Sequence, residues 1–246
     1  VLRHYPVRQF SREGLKFNEV LCMAAGREVV TGYLDLAHRL KLEPAGMHGE
    51  PHAILKAFEH LAAGDAERRA TCYIDIGAAT TKVVIAHGNR MVFGKSIHAA
   101  GDNITRSLAK ERECDFMDAH RMRTAGSARF AARGGGTAVA EAPEASTASR
   151  ATLEMILDEL RLSLRYHAAV FPDRRIEKLI FIGGEARDTA LCQAIARGVR
   201  IAAQLGDPLA RLERSRADGE ADGVDLDEPQ PGWTVPMGLC LSEAAG

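Results

Sequence analysis

Tyr73-Ile74-Asp75-Ile76-Gly77-Ala78-Ala79-Thr80-Thr81-Lys82-Val83-Val84-Ile85 reads as two apolar strands joined by a turn of small residues that carries one carboxylate and two hydroxyls. The flanking residues are β-branched and apolar, as a buried hairpin requires. Gly77 and the two alanines leave backbone N–H groups open to an anion. The stretch is therefore a candidate phosphate cradle. Asp75 stands at the strand end, where a carboxylate can face the hard cation that accompanies a triphosphate. An ordinary hairpin with a Gly-Ala turn would be written with the same letters, so the rest of the chain has to decide between them.

The composition is that of a globular protein: 246 residues, 46% hydrophobic and 26% charged, enough for one large or two modest domains with a sizeable core. Lys and Arg total 32 against 33 Asp and Glu, a net charge of −1, which gives no pull toward nucleic acid or an anionic membrane. The five cysteines, at 22, 72, 114, 192 and 240, are too far apart for a C-x-x-C metal site or a compact disulfide framework, and a reducing cytoplasm is the simple interpretation. No apolar run approaches the ~18 residues of a membrane span. The chain begins at Val1 without a basic-then-apolar leader, and it reads as a fragment or a trimmed form.

Working outward from the hairpin, Phe17 to Ala24 is strand-like, and Gly26 opens a helical pattern with Val29, Val30, Tyr33, Leu34, Ala37 and Leu40 on one face. Leu42-Glu43-Pro44 ends it, and Gly49-Glu50-Pro51 starts a second helix with Ala53, Ile54, Ala57, Phe58 and Leu61 on its apolar side. After the hairpin, His87-Gly88-Asn89-Arg90 signals a turn into a third strand, Met91 to Ile97, making a meander. Gly101-Asp102 looks like a helix start, with helix expected to about Arg123. Residues 125–150 are rich in Gly, Ala, Ser and Thr and read as a flexible linker or surface loop; Gly134-Gly135-Gly136 within it lacks the strand and the Lys-Ser/Thr of a phosphate loop. Helix returns from about Thr152 to Val170. Lys178 to Ile182 is a buried strand that runs into Gly183-Gly184-Glu185-Ala186, where glycines let the backbone lie flat against a ligand and the next helix offers its N-terminus. Asp218 to Glu228 reads as an acidic solvated loop, and Trp233 to Leu241 as a short apolar helix.

Strand–helix alternation, a meander with an anion-binding turn and a later strand-Gly-Gly-helix occur together in the actin-like ATPase fold. A narrower resemblance is carried by six segments in one order along nearly the whole chain. Leu21 to Val30 with Tyr33-Leu34, Leu42-Glu43-Pro44 and Glu50-Pro51 resembles the middle of the PilM family, cytoplasmic actin-like proteins of type IV pilus assembly. The hairpin, followed by Phe93 to Ile97 and Gly101-Asp102-Asn103-Ile104-Thr105, is similar to that family's second phosphate motif. Glu159 to Tyr166 and then Ile182-Gly183-Gly184-Glu185-Ala186 resemble the helix before its adenosine motif and the motif itself. Gly206-Asp207-Pro208-Leu209 is similar to a late loop, and Pro236-Met237-Gly238-Leu239 to the final helix.

The resemblance implies an α/β, actin-like (ribonuclease H-like) fold that is N-terminally incomplete. Residues 1–70 would be the remainder of the first half and 71–246 the second half with the nucleotide motifs. It implies ATP and Mg2+ as ligands. Asp75 would orient the metal through water, and Gly77, Ala78, Thr80, Thr81 and Lys82 would cradle the phosphates. Glu50 would position a hydrolytic water, with Asp75 as its catalytic partner, and Gly183, Gly184, Glu185 and Arg161 would line the nucleoside. At most a weak ATPase is expected, because the phosphate clamp of this fold closes from two hairpins. The implied partner is the cytoplasmic tail of a single-pass, PilN-like pilus assembly protein at the inner membrane. No nucleic acid or direct membrane insertion is expected, and self-association stays open. Two alternatives share the fold. A small-molecule kinase would need a carboxylate base facing a sugar pocket, and a relative of FtsA should end in a basic amphipathic helix, whereas this chain ends Leu-Ser-Glu-Ala-Ala-Gly. One departure stands out: Lys82, five residues after Gly77, is more typical of the family's first phosphate loop than of its second. His48-Gly-Glu-Pro-His52 is superficially similar to a zinc helix motif, but Pro51 disturbs the helix that would align the two imidazoles.

Overall fold

Parallel pairing of Ala70–Ile76 (β3) with Ile176–Ile182 (β6) sets the architecture, because it brings together two strands a hundred residues apart. The computed structural model describes residues 2–61, 70–131, 147–212 and 227–242. β3 also pairs antiparallel with Thr81–His87 (β4), which pairs with Arg90–Ile97 (β5), and the short Ala203–Leu205 (β7) extends the other edge. The five-stranded order is β5-β4-β3-β6-β7. A separate antiparallel hairpin, Leu2–Arg12 (β1) and Leu15–Ala24 (β2), lies against β5.

Strand alternation sorts the core into two layers. Cys72, Ile74, Ile76, Val83, Ile85, Leu179 and Phe181 point to one face, where Ile156, Leu157 and Leu160 of Thr147–Val170 (α5) and Leu191 and Ile195 of Thr189–Val199 (α6) cover them. Tyr73, Val84, Ala86, Ile180 and Ile182 point to the other, beneath Ile54, Leu55, Ala57 and Phe58 of Glu50–Glu59 (α2). Thr234–Cys240 (α7) packs on α2 so closely that a Cβ on Gly238 would overlap the Ala53 backbone.

Arg27–Arg39 (α1) forms where the periodicity predicts a helix, yet none of its residues is buried, and Val29, Tyr33 and Leu40 are exposed. The single helix expected over 101–123 is two, Gly101–Glu111 (α3) and Phe116–Ala131 (α4), separated where Glu113 takes a left-handed φ of 50°. Of the linker expected over 125–150, residues 125–131 belong to α4 and 147–150 to α5, while 132–146, including Gly134-Gly135-Gly136, lies outside the described residues; so does 218–226 of the acidic loop.

Candidate functional site

Because β3 and β6 are parallel with Asp75 level with Ile182, their carboxyl ends open on one edge of the sheet, where α/β sheets take their ligands. The chain leaves β6 at Gly183 with φ +89° and ψ 172°, a combination essentially restricted to glycine. A Cβ there would overlap Asp75 Oδ1 and lie 2.5 Å from Ile76 O. Asp75 and Gly183, more than a hundred residues apart in sequence, are therefore in direct contact. The Gly183 N–H donates to Pro231 O at 3.0 Å, which anchors the turn from behind. Gly184 is exposed, and a Cβ on it would meet nothing within 4 Å.

Across the cleft, the Gly77 N–H donates to Thr80 O at 3.1 Å and closes a four-residue turn between β3 and β4. The turn docks on the start of α3, where the N–H groups of Gly101 and Asp102 donate to Gly77 O at 3.2 Å and Ala78 O at 2.7 Å. Those two helix-terminal donors are spent. The amides of Ala78 and Ala79, both exposed, donate to no acceptor among the described residues, which leaves them open to an anion. Thr80 is half-buried beside them. Thr81 differs from its expected role: its side chain is fully buried and Oγ1 donates to Ala99 O at 2.7 Å, so the hydroxyl fastens the turn to the segment before α3 instead of facing the cleft.

Three charges share the remaining side. Asp75 and Lys82 are cross-strand neighbours on the face covered by α2, and Glu50 is the first residue of that helix. Lys82 Nζ lies 2.9 Å from Glu50 Oε2 and 3.7 Å from Asp75 Oδ2. Burial raises the Asp75 carboxyl above its ordinary range, and the Lys82 ammonium opposes that rise.

Two expected nucleoside contacts are engaged elsewhere. Glu185 pairs with Arg123 Nη2, while Arg123 Nη1 donates to Gly101 O at 2.9 Å and Thr105 Oγ1 at 2.6 Å. The Glu185 carboxylate thus ties the Gly-Gly turn to α3 and α4. Arg161 lies away from the turn, contrary to its expected role. Its guanidinium donates to Asp158 Oδ1 and to Gly198 O, both at 3.2 Å. Gly198 sits in the last turn of α6, whereas Gly183 and Gly184 precede that helix, so Arg161 is about 14 Å of helix away from the turn. The face of α5 that carries it packs toward the wrong end of α6. His48 precedes α2, and its ring stacks on that of His52 at 5.3 Å. Arg123 was invisible to sequence reasoning, since nothing in a helical arginine 62 residues before Glu185 announces the pair. The Asp75–Lys82 pairing did carry a signal: a four-residue turn centred between Ala78 and Ala79 sets positions 75 and 82 opposite each other.

The fold is the actin-like one. A PilM-PilN type IV pilus biogenesis complex contains a chain that superposes with a TM-score of 0.76 over 98% of this chain, at 22% identity. This chain spans only 66% of the length of that one. The ethanolamine utilization protein EutJ from Carboxydothermus hydrogenoformans matches with a TM-score of 0.52 at 15% identity, over 89% of this chain and 62% of EutJ. MreB5 of Spiroplasma citri, solved bound to ADP, matches with a TM-score of 0.53 at 13% identity, over 89% of this chain and 65% of MreB5. No protein-family model and no curated protein matches the sequence. Among the described residues no helix is long and apolar enough to cross a membrane.

Proposed function

We propose that this chain is an ATP-binding, actin-like scaffold of type IV pilus assembly, at the cytoplasmic face of the inner membrane, with the cytoplasmic tail of a PilN-like membrane protein as its partner. The observation that carries the nucleotide reading is the convergence of Asp75, the open amides of Ala78 and Ala79, and the bare backbone of Gly183-Gly184 at the carboxyl ends of two parallel strands. The pilus role and the partner are supported by the likeness to a chain of a PilM-PilN complex, and the ligand by the ADP in MreB5. In this reading the turn amides and the Lys82 ammonium take the phosphates, and Gly184 admits the flat face of the nucleoside.

Turnover is weak at most, because the carboxylate that would orient a water, Glu50, already holds the Lys82 ammonium. A magnesium ion ligated directly by Asp75 does not fit the residues as placed, since Lys82 Nζ stands 3.7 Å from its carboxylate; Asp75 would reach a phosphate-bound ion only through water. Calorimetry with ATP tests the reading. Gly184→Val puts a branched side chain into open space, leaving the protein folded and weakening ATP by tenfold or more, about 1.4 kcal/mol. Equal binding by both proteins, or none by the parent, removes the nucleotide reading.

A further inference from the structure

The charge arrangement at α2 goes beyond nucleotide binding. Lys82 lies on β4 directly opposite Asp75, with its side chain 18% exposed and that of Asp75 10% exposed. The ammonium lies within ion-pair distance of both Asp75 and Glu50. A hard divalent cation ligated directly by these carboxylates would have to sit about 2.0–2.6 Å from their oxygens, in the space the ammonium occupies, and would meet a like charge there. Among the described residues no cluster of three or more His, Cys, Asp or Glu side chains is placed to hold a metal, so no further ligand offsets that repulsion.

We infer that Lys82 is a built-in counter-cation: it takes the place of a protein-bound divalent ion between Glu50 and Asp75, makes phosphate binding at this edge independent of added metal, and keeps Glu50 from acting as a base. The part concerning phosphate rests on the nucleotide reading; the part concerning the cation does not. Three features support it. Asp75 and Lys82 are fixed to each other by strand register rather than by flexible side-chain reach. The lysine stem is enclosed between the sheet and α2, so the charge stays at the site without a ligand. The trio sums to one net negative charge, which one phosphate-facing ammonium leaves less repulsive to an anion than two bare carboxylates would be.

The cation part is tested by electron paramagnetic resonance of free Mn2+ titrated with the protein in the absence of nucleotide. The parent should take up no Mn2+ at this site, Lys82→Met should gain one site at least about tenfold tighter than any residual Mn2+ binding by the parent, and Lys82→Met with Asp75→Asn should lose it again. Lys82→Gln, which keeps a polar stem end, serves as a second variant and should behave as Lys82→Met does. Uptake by the parent equal to that of both lysine variants, or no gain in either folded variant, overturns the inference. In the second arm a fluorescent ADP analogue is titrated with EDTA or with Mg2+. The parent's affinity should differ less than about fivefold between the two, whereas Lys82→Met should bind only with Mg2+. A larger loss in EDTA for the parent overturns the phosphate part. No binding of the analogue by any protein overturns the nucleotide reading and the phosphate part with it, while the Mn2+ result still decides the cation part.

Discussion

Gly183→Ala should be the most damaging methyl group that can be added near the site, and Gly184→Ala, one residue on, nearly harmless. At Gly183 two costs add. Its φ of +89° with ψ 172° lies where only glycine is at ease, which costs a non-glycine residue about 1–3 kcal/mol. The new Cβ would also overlap Asp75 Oδ1 and sit 2.5 Å from Ile76 O and 2.9 Å from Ile76 C. Backbone of a central strand cannot retreat as a flexible side chain can, so overpacking adds about 1–3 kcal/mol more. The sum is about 4 kcal/mol, a large part of the ~5–15 kcal/mol that holds a domain together. Gly184 has neither cost, with no positive φ and nothing within 4 Å of a Cβ, and Ala there should change stability by less than about 1 kcal/mol. Urea unfolding followed by the fluorescence of Trp233 is the assay. That residue is the only tryptophan, and it ends the 3-10 turn Pro231–Trp233 whose first carbonyl accepts the Gly183 N–H. A difference between the two variants below about 1 kcal/mol would show that the Asp75–Gly183 contact is not as close as described.

Three further outcomes are expected. His87 and His167 are buried with Nε2 atoms 2.9 Å apart, so one must donate and the other accept, and burial lowers the pKa of both, which keeps them neutral at pH 7. Burial first, then His167, Arg174 and Arg90, lower the His87 pKa from 6.5 to about 4. The unfolded chain therefore binds the proton first, so stability is full above about pH 6.5 and is lost as pH falls toward 4. The loss is up to about 3 kcal/mol by linkage and about 1–2 after discounting for solvent screening. The urea midpoint at pH 4.5 relative to pH 7 measures it, and His87→Phe should flatten the dependence; an unchanged slope would place its origin elsewhere. Asp75→Asn should raise stability at pH 7, because the folded-state pKa of Asp75 is raised and ionisation with rising pH costs the folded state, and it should not weaken nucleotide binding in EDTA, because it removes a negative charge beside the Lys82 ammonium. Reduced stability together with weaker binding in EDTA would contradict it. Gly238→Ala should cost about 3 kcal/mol, since its Cβ would sit 2.8 Å from Ala53 Cα; thermal unfolding within 2 °C of the parent would mean that α7 does not seat on α2 as described.

The hairpin, α2, the strand before the Gly-Gly turn and the late apolar helix were legible because each is a local pattern: alternating apolar residues bounded by glycine, or helical spacing after a proline. Other elements were not. β1 carries arginines, histidine and proline and shows no alternation, and β7 has three residues, too few for any period. The break after α3 depends on Glu113 adopting a left-handed φ that no residue type there advertises. Helical spacing identified α1 but could not say what covers its apolar side, because periodicity reports a face and not its neighbour. At the site, Asp75, Gly77 and Gly183 were marked by backbone requirements that sequence encodes. Arg161 was misplaced because position along a helix does not reveal which end of the neighbouring helix it meets.

The segment around α7 binds these pieces into one mechanical unit. Pro231 O holds Gly183 through its amide, Thr234 Oγ1 donates to Pro231 O at 2.9 Å, and α7 then runs onto α2, whose first residue is Glu50. Glu50 holds Lys82, and Lys82 stands beside Asp75, which abuts Gly183 again. The circuit passes through every element that faces the cleft except α3. Movement of α2 would therefore be felt at once in the charge balance around Asp75 and, through α7, in the backbone of the Gly-Gly turn. A ligand phosphate beside the Lys82 ammonium shares it with Glu50 without releasing that carboxylate, and so acts on the N-terminus of α2. For the nucleotide-binding scaffold proposed above, the useful output would be a shift of a helix rather than a chemical product, and α2 is the helix that this wiring would shift.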